Sequence, residues 1–296
     1  MSKKIKGKDV NLLVDGQVVT ASTSCTFTLT ANTADAASKT DPGDGMWDNP
    51  EFTHYGWQMG NESFVTDAAA LASLLTKVIS GDARVEVLFQ VDTDLVLKGQ
   101  AIVTQLSVNA TNGEKATLSL SLEGAAPLVK TSAVTVTKSV TGKIDGKALM
   151  LALESTSDEF HTVAAAISHT LTVSVQTADA GTKDDIDGVT RKEVTGKSVS
   201  LTTENMVALG AASDAKGVFL PKLLGWAEHG AKVAAKFGYY EASKGVASGS
   251  DEDWGDPGVV LVQGVFLCAS LNINGAMKED ATYSAEFTSC GEVRVD

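Results

Sequence analysis

The stretch Ser24-Cys25-Thr26-Phe27-Thr28-Leu29-Thr30-Ala31-Asn32-Thr33-Ala34-Asp35-Ala36 constrains this chain more than any other, because it recurs. At a constant offset of 144 stands Ser168-His169-Thr170-Leu171-Thr172-Val173-Ser174-Val175-Gln176-Thr177-Ala178-Asp179-Ala180. Extended to Asp41 and Asp185, the two windows share nine identities in eighteen positions, and most differences exchange like for like. Two copies of so distinctive a string predict two tandem repeats. In each copy apolar and hydroxyl residues alternate, the period of a half-buried strand.

A length of 296 residues allows two domains of ordinary size, each with its own core. The opening Lys3-Lys4-Ile5-Lys6-Gly7-Lys8 is basic, but the apolar run a signal peptide needs does not follow it. The most apolar stretch, Val259–Ile273, is interrupted by Gln263 and Gly264 and is too short for a membrane span. Cys25 and Cys268 fall inside strand patterns and Cys290 belongs to no motif, so buried thiols are expected rather than a disulfide or a nucleophile. The net charge of −13 disfavours sequence-specific binding of nucleic acid, which needs basic clusters.

Along the chain, Val10–Val19 reads as a hairpin turning at Asp15-Gly16, echoed by Gly146-Lys147 onward. Residues 32–60 read as a long polar loop carrying Trp47, Phe52, Tyr55 and Trp57, which either reach another subunit or fold back onto their own domain. Asp67 predicts a cap for an amphipathic helix over 68–79. The second helical region is expected to begin near Thr203, break at 210–217 and end at His229-Gly230. Strands are predicted over 84–91 and 232–240, and a Gly-, Ser- and acid-rich loop over 241–258. Residues 125–143 form an extended arm that joins the copies. Each copy closes with a hairpin, 101–110 with 115–123 around Asn112-Gly113, and 265–274 with 280–288 at an offset of 165.

The closing hairpins have two unlike faces. One carries Ile102, Leu106, Val108, Leu118, Leu120 and Leu122, echoed by Leu267, Leu271, Ile273, Tyr283 and Phe287, and must cover something apolar. The other carries Gln105, Ser107, Asn109, Thr117, Ser119, Ser121 and Glu123, echoed by Ser270, Asn272, Asn274, Thr282, Ser284, Glu286 and Thr288. A solvated sheet face usually mixes in lysine and arginine. This one is poor in cations in both copies, as a wall that does not grip a polyanion would be.

The order of basic arm, early hairpin, Thr-alternating strand, long polar loop, capped helix and closing hairpin resembles phage tail tube (major tail) proteins, with Gly99–Gly124 the most family-like part. The resemblance implies a mainly β fold with one helix per repeat (α+β) and two tandem tail-tube-like β-sandwich or barrel domains, 1–130 and 131–296. It implies a virion protein, assembled in the bacterial host cytoplasm, that polymerises into stacked rings and forms a conduit for DNA ejection. The duplication departs from the usual single domain and implies rings of three chains with pseudo-sixfold symmetry. The implied partners are other copies of the chain, further tail proteins such as tape measure and terminator, and double-stranded DNA in non-specific passage, with no membrane.

Nothing in the sequence points to catalysis, a cofactor or a metal. Asp184–Gly188 does not fit a calcium loop, because Lys183 and Val194 fall at the first and twelfth ligand positions. Asp251, Glu252, Asp253 and Asp256 read as a solvated acidic loop, and His54, His161, His169 and His229 are scattered. The alternative function is a β-sandwich binding or adhesion module, such as a baseplate, decoration or cell-surface protein.

Overall fold

The computed structural model describes residues 4–19, 21–36, 50–134, 142–156, 159–182, 188–208, 217–240 and 257–295. Trp47, the acidic stretch 183–187 and most of the 241–258 loop lie outside them.

The first half runs β1 (Asn11–Val14), β2 (Gln17–Val18), β3 (Ser22–Asp35), β4 (Pro50–Phe64), α1 (Ala68–Ile79), β5 (Arg84–Asp92), β6 (Leu95–Thr111), β7 (Thr117–Gly124) and β8 (Val129–Lys130). The second runs β9 (Leu149–Thr156), β10 (Glu159–Thr162), β11 (Ala166–Asp179), β12 (Lys192–Met206), α2 (Leu220–His229), β13 (Lys232–Tyr239), β14 (Val259–Asn274) and β15 (Thr282–Arg294). Short 3-10 turns, Gly7–Asp9 and Gly146–Ala148, precede β1 and β9. The fold is mainly β, with two helices among the described residues.

All pairs between the strands named here are antiparallel. In the first half the strand order is β2-β1-β5-β6-β7-β4-β3. In the second it is β10-β9-β13-β14-β15-β12-β11. The irregularities coincide as well. The bulge at Val103/Gln105 in β6 has its counterpart at Cys268/Ser270 in β14, and the register shift at Asn32/Thr33 has one at Gln176/Thr177.

The halves are not separate sheets over separate cores. Strand β11 pairs with β6, making one sheet, and the buried apolar residues of both halves form one connected core. Leu106, Val108, Leu171, Val173 and Phe287 are wholly buried in it.

Local chemistry explains the elements. The β1–β2 turn puts Asp15 and Gly16 at positive φ (49° and 75°), as a two-residue hairpin requires. Asp67 caps α1 by accepting from the Ala69 amide at 3.0 Å, and Leu71, Leu75 and Val78 bury one face. Helix α2 has no side-chain cap; it has a proline in its first turn and closes on Gly230 in the left-handed region.

Three expectations are corrected. Within 32–60 the described residues are almost all strand, because β3 runs to Asp35 and β4 begins at Pro50, which places Phe52, Tyr55 and Trp57 within the sheet. Trp57 is 2% exposed and its indole N–H donates to the Ala126 carbonyl at 2.9 Å. Gly99 and Gly124 leave it room: a Cβ on Gly124 would lie 2.3 Å from the ring. Second, the stretch expected to start a helix near Thr203 continues β12 through Met206. Third, the β6 and β14 bulges reverse the side-chain alternation before them. Ile102 therefore stands opposite Glu123, and Leu267 opposite Thr288, on the other side of the sheet from Leu106 and Leu271.

Candidate assembly interface

The seam between the halves is built by one strand edge shared between two partners. Along one edge of β6, residues 95–102 pair with β5 and residues 105–111 pair with β11. The register sets Leu171 against Val108, Val173 against Leu106 and Thr172 against Ser107. The hydroxyls of Thr172 and Ser107 lie 3.3 Å apart, and Leu171, Val173, Leu106 and Val108 are all wholly buried.

A second contact locks the seam. The segment Lys143–Lys147 enters a slot at the end of the first half. Val65 N–H donates to Ala116 O at 2.9 Å, Ala116 N–H to Ile144 O at 2.9 Å, and Ile144 N–H to Val65 O at 2.8 Å. Gly146 N–H donates to Glu114 O and Asn112 N–H to Ile167 O, both at 2.8 Å. Lys115 and Asp145 form an ion pair, and the Lys115 ammonium holds the Asp145 carboxyl below the usual carboxylate range. Gly146 is obligatory here, since a Cβ would come within 2.2 Å of the Thr111 carbonyl oxygen.

Further contacts cross the seam. Thr177 Oγ1 donates to Glu123 Oε2 at 2.9 Å, and Lys192 Nζ lies 2.8 Å from Asp179 and 3.2 Å from Glu123. Asp179 and then Glu123 raise the Lys192 pKa, while Lys192 lowers that of Asp179. The Tyr55 amide donates to Gly188 O at 2.8 Å, and helix α1 packs on β11, β14 and β15. His169 is buried opposite Ala110, neither of its ring nitrogens has a partner, and desolvation lowers its pKa to about 4. Beside it is a cavity of about 240 Å³ lined by residues that include Asn112, Lys147 and Met150.

The same two edges recur uncovered. Strand β3, at the position of β11, pairs with β4 on one edge and with no described strand on the other. Strand β14, at the position of β6, pairs with β13 only as far as Leu267 on the edge that β11 occupies in β6. The apolar side chains there are open to solvent: Leu29, at the position of buried Val173, is 57% exposed, and Ile273, at the position of buried Val108, is 57% exposed.

The polar residues singled out from the sequence form one face. Gln105, Asn109, Ser119, Ser121, Asn272, Asn274 and Glu286 are exposed; Ser107, Thr117, Glu123, Ser270, Thr282, Ser284 and Thr288 are half-buried. Strand pairing joins them into continuous rows, among them Thr288-Ser200-Thr172-Ser107-Ser119-Glu62-Ser24, with no lysine or arginine in the row. Sequence reading missed Lys192, which sits at one end of this face against two carboxylates, and β12, whose Ser200 and Thr202 complete the rows. Of the four aromatics expected on a loop, Trp57 is consumed by its own core, Tyr55 is half-buried, and Phe52 on β4 remains 60% exposed.

Among the described residues no group of three or more His, Cys, Asp or Glu is placed to hold a metal ion. Cys25, Cys268 and Cys290 form no disulfide, and Cys268 is buried. No described helix is long and apolar enough to cross a membrane.

No protein-family model matches the sequence, and no curated protein matches it. Among solved structures, the chain is similar to one in the tail of an empty gene transfer agent particle, refined helically with C6 symmetry, and to one in the virion of a native gene transfer agent. Each shares 17% identity at a TM-score of 0.38, over 51% of this chain and 98% of the other.

Proposed function

We propose that this chain is the product of an internal duplication and a structural protein of a phage-type tail tube. Its copies join head to tail into closed rings, three chains giving sixfold apparent symmetry, and the rings stack into a conduit for double-stranded DNA. One observation carries the reading: the head-to-tail seam inside the chain has both of its surfaces repeated, uncovered, at β3 and β14. A contact between unlike surfaces propagates until the rotation closes, and closure removes the open strand edges.

Magnitudes favour three chains. From edge to edge each copy contributes eight strands, β14-β15-β12-β11-β6-β7-β4-β3. At a strand spacing of ~4.8 Å and a tilt of ~40°, three copies close a barrel roughly 45–50 Å across at the backbone, and two copies one of roughly 30 Å. Once side chains line it, only the wider barrel clears a DNA duplex. The hydroxyl and amide rows would form the inner wall, offering phosphates no counter-charge. Other tail proteins, a tape measure and a terminator among them, would meet the ends, and exposed Phe52 is suited to a contact between rings.

Negative-stain microscopy of the purified chain is the test. The expected result is rings or tubes with true threefold and apparent sixfold symmetry. Monomers at every concentration, or rings of six chains, would overturn the reading.

A further inference from the structure

The ring reading leaves open how one copy recognises the next. The segment Lys143-Ile144-Asp145-Gly146-Lys147, which locks the seam within the chain, has a near duplicate in Lys4-Ile5-Lys6-Gly7-Lys8, identical at four of the five positions. Among the described residues of one chain, no backbone hydrogen bond seats Ile5 or Gly7 between strand ends as Ile144 and Gly146 are seated. Ile5 is 43% exposed, and a Cβ on Gly7 would meet nothing within 4 Å, whereas one on Gly146 would collide with Thr111. The described residues of the single chain give no steric reason for glycine at position 7.

The matching slot exists at the end of the second half. Val207 N–H donates to Ala281 O at 2.8 Å, as Val65 does to Ala116. The first-half slot is covered, with Val65 3% and Ala116 0% exposed; Val207 and Ala281 are half-buried. The rims differ in one respect. Where the covered slot has Lys115 against Asp145, the open slot has Asp280 and the unseated segment has Lys6. The pair is preserved with its charges exchanged.

We propose that Lys4–Lys8 of one copy seats between Val207 and Ala281 of the next, with Lys6 against Asp280 and β3 laid along Ser270–Asn274 of β14. This rests on the ring reading and specifies its joint. Carried over from the covered seam, the bonds are Ile5 N–H to Val207 O, Ala281 N–H to Ile5 O and Gly7 N–H to Glu279 O. The strand register is Thr28 against Asn272 and Leu29 against Leu271. Both apolar residues left open at the edges, Leu29 and Ile273, are then covered.

The exchanged charges also exclude the wrong joint. Asp145 in the slot rimmed by Asp280, or Lys6 in the slot rimmed by Lys115, would set like charges together. Each segment therefore rejects the other's seat, and the covered seam within a chain does not compete with the joint between chains.

The full chain tests this by sedimentation velocity across a concentration series, with microscopy of the products. Lys6→Asp and Asp280→Lys are each expected to raise the half-assembly concentration several-fold, and the double variant to return it to within about twofold of the unaltered protein. Gly7→Val is expected to raise it more than tenfold while leaving the melting temperature of the unassembled chain unchanged. In a background lacking Cys25, Cys268 and Cys290, oxidation should link copies through Thr28→Cys with Asn272→Cys, but not through Thr26→Cys with Asn272→Cys. Rings that form while Gly7→Val and both charge variants are indifferent, or that cross-link only in the shifted register, overturn this joint and leave the ring reading intact. An unaltered chain that never assembles overturns both.

Discussion

Gly7 and Gly146 occupy the same place in nearly the same five-residue string, yet a Cβ on one would meet no described atom within 4 Å and a Cβ on the other would collide with a strand. The same contrast runs through the whole molecule: Leu29 is exposed where Val173 is buried, and Ile273 is exposed where Val108 is buried. Such pairs separate what a position contributes to folding from what it offers to a partner. A residue that looks idle in one half is informative because its counterpart is not.

The contrast breaks most sharply at the strand pair. Val173→Asp places an unpaired charge in the covered seam and should cost about 3–5 kcal/mol in urea unfolding, whereas Leu29→Asp should change the isolated chain's stability by no more than about 0.5 kcal/mol. Equal effects would mean that β3 is not an open edge.

Next in size is His169, whose counterpart in β3 is Cys25. Its folded-state pKa of about 4 lies below the ordinary 6.5, so between those values the unfolded chain binds a proton that the folded chain refuses. Stability is therefore unaffected by this group above pH 6.5 and falls as pH drops toward 4, by about 3 kcal/mol in all. His169→Cys should flatten that part of the pH profile in thermal melts; an unchanged slope would assign it to other groups.

Gly146→Ala should cost about 2–3 kcal/mol through its collision with Thr111, and Gly7→Ala less than about 0.5 kcal/mol. Both can be read from melting temperatures of the unassembled chain. The smallest effect is expected at the end of the polar face. Lys192→Ala removes the partner of Asp179, which is 73% exposed, and of half-buried Glu123, so the loss should stay near or below about 1 kcal/mol. The lowered Asp179 pKa gives the sign: the contribution is present above the usual carboxylate range and disappears as the pH falls through it.

The elements that could be read in the sequence were those whose burial follows a single period. Helix α1 declared itself through Asp67 and its apolar stripe, and β3 and β11 through their repeated alternation. Strand β4 was hidden because Asn61 and Ser63 share its buried face with Trp57 and Met59, so its inward positions do not look apolar. The end of β12 was hidden in the same way: Thr203 and Asn205 are buried and bonded to each other at 2.8 Å. The polar face was legible strand by strand, except at β12. The bulges that reverse Ile102 and Leu267 leave no mark in composition, because a bulge is a property of pairing. The slot for Lys143–Lys147 needed the structure too, since Val65 and Ala116 are brought together only by the fold.

Carrying the β6–β11 seam within one polypeptide also changes its mass action. A joint between separate molecules forms only when their concentration approaches its dissociation constant. A tethered joint meets its partner at an effective concentration on the order of millimolar, whatever the dilution. Under the ring reading each chain would arrive with one joint already made, and dilution would loosen only the joints proposed between separate chains.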